Sequence, residues 1–524
     1  MNLLKYKIRV DFTKPNYLKI SLSLLIIYNF SRFLNNYSKI NFYFTDDIWI
    51  LLGEKYSNIF EKIYCCSVSH PFASLIFQSF FSMFKNSGYF ILFLFIIGQI
   101  FPLILFRLKN LPLTEFQKFV TVSLLLLSPM YSNYSLRPKT YIYEAVFSIV
   151  LINIFYKIKS LKKITAYDFI FVSFMVLFSI TLLIPISALI ILILKDRFYH
   201  KSIFMISRVG LLLFVIANTI SLFLTTSFTN QQLNLFWDNK FFPLEGGLSL
   251  ASRWTYLSFL GIINKSNDTN LGFTNITFQL VFLFIFLGVI YSFKNQKIEI
   301  VQTLFLMLSI NYLLAIFRIF PFGGTRTSIY LYGFLAIIVT FGIQAILDYS
   351  ESKNLKNLFV IFVLVSLLLS DIPEYKNTTK NLNDEKAVEA INFIQNTNEK
   401  VMIHHSSHWF VSMYYPAPIK MERISFNDFL NRKGGTGTFA RPVPLIQDEK
   451  FIQLCFDYPT SRKKECNEIM KNYLLNNQIK SFYLAGFYTN DDDVIPYSSL
   501  FEELNFNSQY IIDSDSNDLI FYYK

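Results

Sequence analysis

Long apolar runs separated by short basic links are the dominant pattern of this chain. A helix that crosses a bilayer needs about twenty mostly apolar residues, and runs of this kind fall at 18–34, 88–106, 116–130 and 141–156. The first is the weakest, because Asn29 and Arg32 interrupt it. The next run, 169–194, carries Thr181 and Pro185 near its middle. One helix of that length would put Lys195, Arg197 and Lys201 on the wrong side of the membrane, whereas two short, tightly turned spans return them to the side of the other basic links. The two-span reading is preferred. Further spans are predicted at 203–225, 278–293, 300–316, 329–347 and 358–370, about eleven in all.

Between the spans the pattern changes. The segments 35–87 and 227–277 are long and polar-aromatic, and 318–327 is a short turn. Within the first, Ile48, Leu52, Tyr56, Ile59 and Ile63 share one helical face, while Glu54, Lys55, Asn58, Glu61 and Lys62 fall elsewhere. Such a helix lies in the membrane interface rather than across it. A second helix is predicted over 72–84, after His70-Pro71. From about 372 the composition becomes that of a soluble domain of roughly 150 residues. Residues 384–395 have helical spacing behind a capping Asn383, 401–404 and 482–485 read as strands, and 510–522 reads as a hairpin around 513–517. The expected fold is an all-α polytopic membrane domain, 1–371, followed by an extramembrane α/β domain, 372–524.

Composition agrees: 53% of residues are hydrophobic and only 16% charged, where a soluble protein carries about a quarter. The net charge of +12 does not point to nucleic acid, because the basic residues sit in the links, among them Lys157, Lys159, Lys162, Lys163 and Lys195, and no nucleic-acid-binding motif accompanies them. Basic links mark cytoplasmic loops. They place the N-terminus in the cytoplasm and the loops 35–87 and 227–277, with the C-terminal domain, outside. The apolar N-terminal run ends without a small-residue cleavage site and reads as an uncleaved span. Of the four cysteines, Cys65-Cys66 are vicinal, and Cys455 and Cys466 can close a small loop or remain thiols. No internal repeat, P-loop, dinucleotide fingerprint or zinc spacing occurs.

Several polar residues at span ends are candidates for chemistry. Asp46-Asp47 follows the first span, and two adjacent carboxylates repel, which can tune one of them as a general base. With Thr45 they can equally cap the helix that starts at Ile48. Trp49, beside the pair, and His70 are candidate substrate contacts, although a His before Pro also serves to orient a helix. Arg137, Lys139 and Arg326 stand where outward loops enter spans. There a guanidinium can grip a phosphate at two points, and Gly323-Gly324 lets backbone N–H groups approach the same anion. An ordinary headgroup contact is the alternative for each. Glu144, one turn into the fourth span, is a candidate substrate ligand, with an ion pair to Arg137 or Lys139 as the simpler account. Trp237, Asp238, Arg253 and Trp254 can line a sugar cleft but read better as interfacial anchors.

The order of these elements resembles the membrane-bound GT-C glycosyltransferases, in particular the branch of protein O-mannosyltransferases and lipid A aminoarabinose transferases. In that branch an Asp-Glu pair in the first outer loop precedes His-Pro-Pro and an aromatic helix; here the matching residues are Asp46-Asp47 and His70-Pro71-Phe72. Asp47 for Glu keeps the charge, and Phe72 for Pro departs from the pattern. Ser135-Leu136-Arg137-Pro138-Lys139-Thr140-Tyr141 is similar to the family's Arg-Pro-Tyr element, and Phe320-Pro321-Phe322-Gly323-Gly324-Thr325-Arg326 to its Pro-Phe-Gly-Gly-x-Arg segment. The resemblance implies transfer of a sugar from a polyprenyl-phosphate carrier to a glycan, lipid or protein acceptor on the outer face of a membrane, the bacterial inner or plasma membrane being favoured. It implies Asp46 as base and Asp47 as its neighbour or as ligand to a divalent metal, the only cofactor left open. Rival expectations are a flippase for lipid-linked glycans, and a polymerase or ligase of the O-antigen type.

Overall fold

The computed structural model describes residues 15–37, 50–55, 59, 62, 70–84, 87–128, 131, 134–161, 163–200, 205–220, 240–243, 247–263, 275–323, 328–349, 352, 363, 385–403, 408–417, 419–422, 443–453, 463–486, 500–512 and 519–524. The chain divides into two compact units. One comprises Met1–Ser38, Ile91–Phe223 and Trp237–Thr378; the other comprises Lys39–Phe90, Leu224–Phe236 and Thr379–Lys524.

The first unit is helical. Its elements are α1 (Pro15–Tyr37), α4 (Glu115–Leu126), α5 (Tyr141–Leu161), α6 (Ala166–Phe178), α7 (Leu183–His200), α8 (Arg208–Ile220), α9 (Gly247–Ile263), α10 (Asn275–Lys294), α11 (Ile298–Ile316) and α12 (Tyr330–Tyr349), with most of α3 (Ser87–Ile100). Four helical stretches among the described residues are long and apolar enough to cross a membrane: Gly88–Arg107, Tyr141–Leu161, Ile298–Ile316 and Tyr330–Tyr349. This is an integral membrane protein. The interrupted first run folds as a single helix because Asn29 turns inward, where its amide donates to Gln99 Oε1 at 2.9 Å. The last predicted span, 358–370, lies almost wholly outside the described residues.

The long run at 169–194 breaks at Ser179 into α6 and α7, joined by a 3-10 turn at Ile180–Leu182. Strand β1 (Lys163–Ile164) before α6 pairs in parallel with β2 (Met205–Ile206) after α7, Lys163 opposite Met205. The two ends of this stretch therefore meet. A single straight helix over 166–200 would hold them about 50 Å apart. Gly210 of α8 then packs against Phe169 and Ala166 at the start of α6. At this same end Lys157 pairs with Asp168 at 2.6 Å and Lys159 pairs with Glu299, tying the end of α5 to the starts of α6 and α11.

Helix α12 is the centre of the bundle and packs on α4, α5, α10 and α11. Within a membrane, close helix packing relies on small residues rather than on expelling water. Gly333 faces the Ala145 carbonyl of α5, and Thr340 shares a 3.0 Å hydrogen bond with Thr121 of α4.

The second unit holds α2 (Pro71–Phe84) and a mixed five-stranded sheet in the order β6-β3-β7-β9-β8. These strands are β3 (Val401–Ile403), β6 (Phe451–Ile452), β7 (Phe482–Gly486), β8 (Ser508–Ile512) and β9 (Leu519–Tyr523). The parallel trio β6-β3-β7 continues through antiparallel β9 and β8, the predicted hairpin. Helices α13 (Glu385–Asn396), α14 (His408–Tyr414) and α15 (Lys463–Asn476) accompany the sheet. Met470 and Leu474 of α15 pack with Phe482, Leu484, Phe501 and Tyr523 in its core. A separate pair, β4 (Ile419–Glu422) with β5 (Val443–Ile446), has no counterpart in the sequence reading.

The interfacial helix expected around 48–63 is described only in part: Ile50–Leu52, Ile59 and Lys62 are helical. After Ile50, Leu51 and Leu52, all buried, the chain tightens into a 3-10 turn at Gly53–Lys55. Packing is close at this turn: a Cβ on Gly53 would stand 2.1 Å from Gln78 Nε2, the group that donates to the Ile50 carbonyl at 2.8 Å.

Candidate functional site

In the first unit the described candidates gather where α5 begins. The segment Tyr134–Thr140 leads into α5 through tight turns: Arg137 N donates to Tyr134 O at 3.2 Å and Lys139 N to Arg137 O at 2.7 Å. Tyrosines brace the turn. The Tyr131 hydroxyl donates to Gly98 O of α3 at 2.8 Å, and the rings of Tyr134 and Tyr141 meet edge to face at 4.7 Å. The Arg137 guanidinium lies over the Tyr134 ring at 5.4 Å. A Cβ on Gly98 would stand 2.9 Å from Ser135 Cβ, so α3 presses directly on this segment. Arg137 is half-buried and Lys139 is buried, which makes the turn a fixed basic platform.

Glu144 is fully buried one turn further on. The expected ion pair with Arg137 or Lys139 does not form. Instead Thr140 Oγ1 donates to Glu144 Oε1 at 2.5 Å and Ser179 Oγ donates to the same oxygen at 2.7 Å. Ser179 in turn shares a 2.9 Å hydrogen bond with Thr181. The break between α6 and α7 thus brings hydroxyls to a carboxyl that the basic platform leaves alone. The other oxygen, Glu144 Oε2, is buried without a partner among the described residues, as is the Tyr330 hydroxyl at the start of α12. The sequence marks Thr181 only as a polar residue in the middle of a long apolar run and Thr140 only as part of the Ser135–Tyr141 motif, and gives no sign of Ser179 or Tyr330.

The Gly-Gly segment before α12 is positioned by a second cluster. Trp254 of α9 packs against Phe242, Tyr312 and Phe322 at 5.5–6.2 Å between ring centroids. Phe322 N donates to Lys240 O at 3.0 Å. Gly323 follows with φ +115° against Ser258, a backbone state that suits glycine. Trp254 is therefore part of a packed aromatic group, and Arg253 beside it is exposed.

In the second unit His70 precedes α2, and its carbonyl accepts from Ser74 N at 2.9 Å as the helix begins. Lys55 reaches the C-terminal end of α14, donating to the carbonyls of Ser412 and of Tyr415, the latter at 2.7 Å. Burial pulls its ammonium down to about 8, partly offset by the Glu54 charge. Asp46, Asp47, Trp49 and Arg326 lie outside the described residues, as do Gly324, Trp237, Asp238 and Cys455. Among the described residues no group of three or more His, Cys, Asp or Glu is placed to hold a metal ion.

No protein-family model matches the chain, and no curated protein matches it in sequence. Solved structures do. The crystal structure of ArnT, a lipid A aminoarabinose transferase, from Cupriavidus metallidurans in the apo state aligns with 96% of this chain and 98% of its own, at 10% identity and a TM-score of 0.55. The same protein bound to undecaprenyl phosphate aligns with 97% of this chain and 98% of its own, at 10% identity and a TM-score of 0.52. The chain shares the fold of those structures along nearly its whole length.

Proposed function

We propose that this protein is a GT-C glycosyltransferase that moves a sugar from a polyprenyl-phosphate carrier to an acceptor hydroxyl or amine. The observation that carries the reading is the whole-length likeness to ArnT, one of whose structures holds undecaprenyl phosphate. The braced Arg137–Lys139 platform supports it with a group suited to a phosphate.

In the proposed reaction the acceptor atom attacks the anomeric carbon opposite the phosphate. Its proton passes to the Asp46 carboxylate, the bond from carbon to phosphate oxygen breaks, and polyprenyl phosphate leaves with the electron pair. One displacement inverts the configuration. Asp47 is the neighbouring carboxylate, and His70 and Trp49 are assigned to substrate contact. Arg137, Lys139 and Arg326 hold the phosphate as its charge develops, the kind of stabilisation that contributes most to such a step. The cytoplasmic assignment of the basic links puts this chemistry on the outer face of the membrane, where the acceptor is a glycan, a lipid or a protein.

The test varies Arg326, whose planar two-point grip lysine cannot reproduce. Transfer from a synthetic polyprenyl-phosphate sugar, measured across donor concentrations, should be partial in Arg326→Lys and nearly lost in Arg326→Ala, with acceptor dependence unchanged. Unchanged donor dependence in Arg326→Ala removes this residue from the site.

A further inference from the structure

We infer that Glu144 is a positioning residue that fixes the Arg137–Lys139 platform against the α6–α7 break. It thereby holds the basic platform in place, an assignment that rests on the donor reading above. Thr140, the residue after Lys139, donates to Glu144 Oε1 and is the first point of attachment. Ser179, in the break between α6 and α7, donates to the same oxygen and is the second. A carboxyl enclosed in this way, with hydroxyl partners and no cation among the described residues, is held for its hydrogen bonds. What the site draws from Glu144 is a rigid junction, and direct contact with the sugar or phosphate is not required.

Glutamine keeps the shape and the accepting oxygen, so Glu144→Gln should hold donor KM within about threefold of wild type. Glu144→Leu removes the junction and should raise donor KM about tenfold or more, leaving acceptor KM alone. Ser179→Ala should fall between them. Hydrogen exchange gives a readout independent of turnover: backbone amides of the segment from Tyr134 to Thr140 should exchange at least about tenfold faster in Glu144→Leu, and at the wild-type rate in Glu144→Gln. If Gln is as damaging as Leu, the carboxylate charge is used directly and the inference fails. It also fails if exchange in the segment is unchanged in Leu, or if donor and acceptor KM move together. Should Leu not accumulate, unchanged donor KM and unchanged exchange in Ser179→Ala overturn it. A wild-type protein that turns over no polyprenyl-phosphate sugar defeats the donor reading alone, and the exchange experiment still decides the junction.

Discussion

Gly342 of α12 meets Phe284 of α10 backbone to backbone: a Cβ on Gly342 would stand 2.0 Å from the Phe284 carbonyl oxygen. Gly288 of α10 repeats the relationship toward Ile338 of α12, again at 2.0 Å from a carbonyl oxygen. Two such contacts bring the backbones of the two helices together at these points and set how close α10 comes to the central helix.

Gly342→Leu should therefore separate α10 from α12. Overpacking a fitted interface costs on the order of 1–3 kcal/mol, and more when backbone must move. A lower melting temperature of the detergent-purified protein than that of a Leu substitution at exposed Ile216 checks this. Equal melting temperatures would show that the close approach is dispensable.

Lys55 supplies a pH signature for the second unit. Burial lowers its folded value from 10.5 to about 8. Between those values the unfolded chain holds a proton that the folded chain has released, so this residue's contribution to stability rises with pH from about 8 toward 10.5 and is flat below 8. The melting temperature of wild type minus that of Lys55→Met should grow between pH 8 and pH 10. A difference that stays constant or shrinks contradicts the buried, carbonyl-bound ammonium.

Much of this architecture is legible in the sequence, and the particular residues show why some is not. Charge alone argued that 169–194 folds back on itself, because a basic cluster follows it, and the β1–β2 pairing agrees. The C-terminal hairpin and the helix over 385–396 were readable from alternation and helical spacing. The union of Glu144 with Ser179 was not, since the two are 35 positions apart and no local pattern links a helix carboxyl to a serine in a distant break. Lys55 falls off the apolar face of an amphipathic stretch, and only tertiary packing gives it the end of α14. The platform residues Arg137 and Lys139 were found from their place at a span end, yet the tyrosines that brace them look like ordinary aromatic bulk in a chain with 32 tyrosines.

The most direct measurement follows both products of the proposed displacement. Purified protein, given a polyprenyl-phosphate-linked sugar and an acceptor, should release polyprenyl phosphate and glycosylated acceptor in equal amounts. Asp46→Asn, which cannot take the acceptor's proton, should lower that rate by about a hundredfold or more while purifying as well as wild type. Intact donor moved across a proteoliposome membrane without bond cleavage would contradict the account and identify a flippase, and wild-type turnover by Asp46→Asn would remove the proposed base.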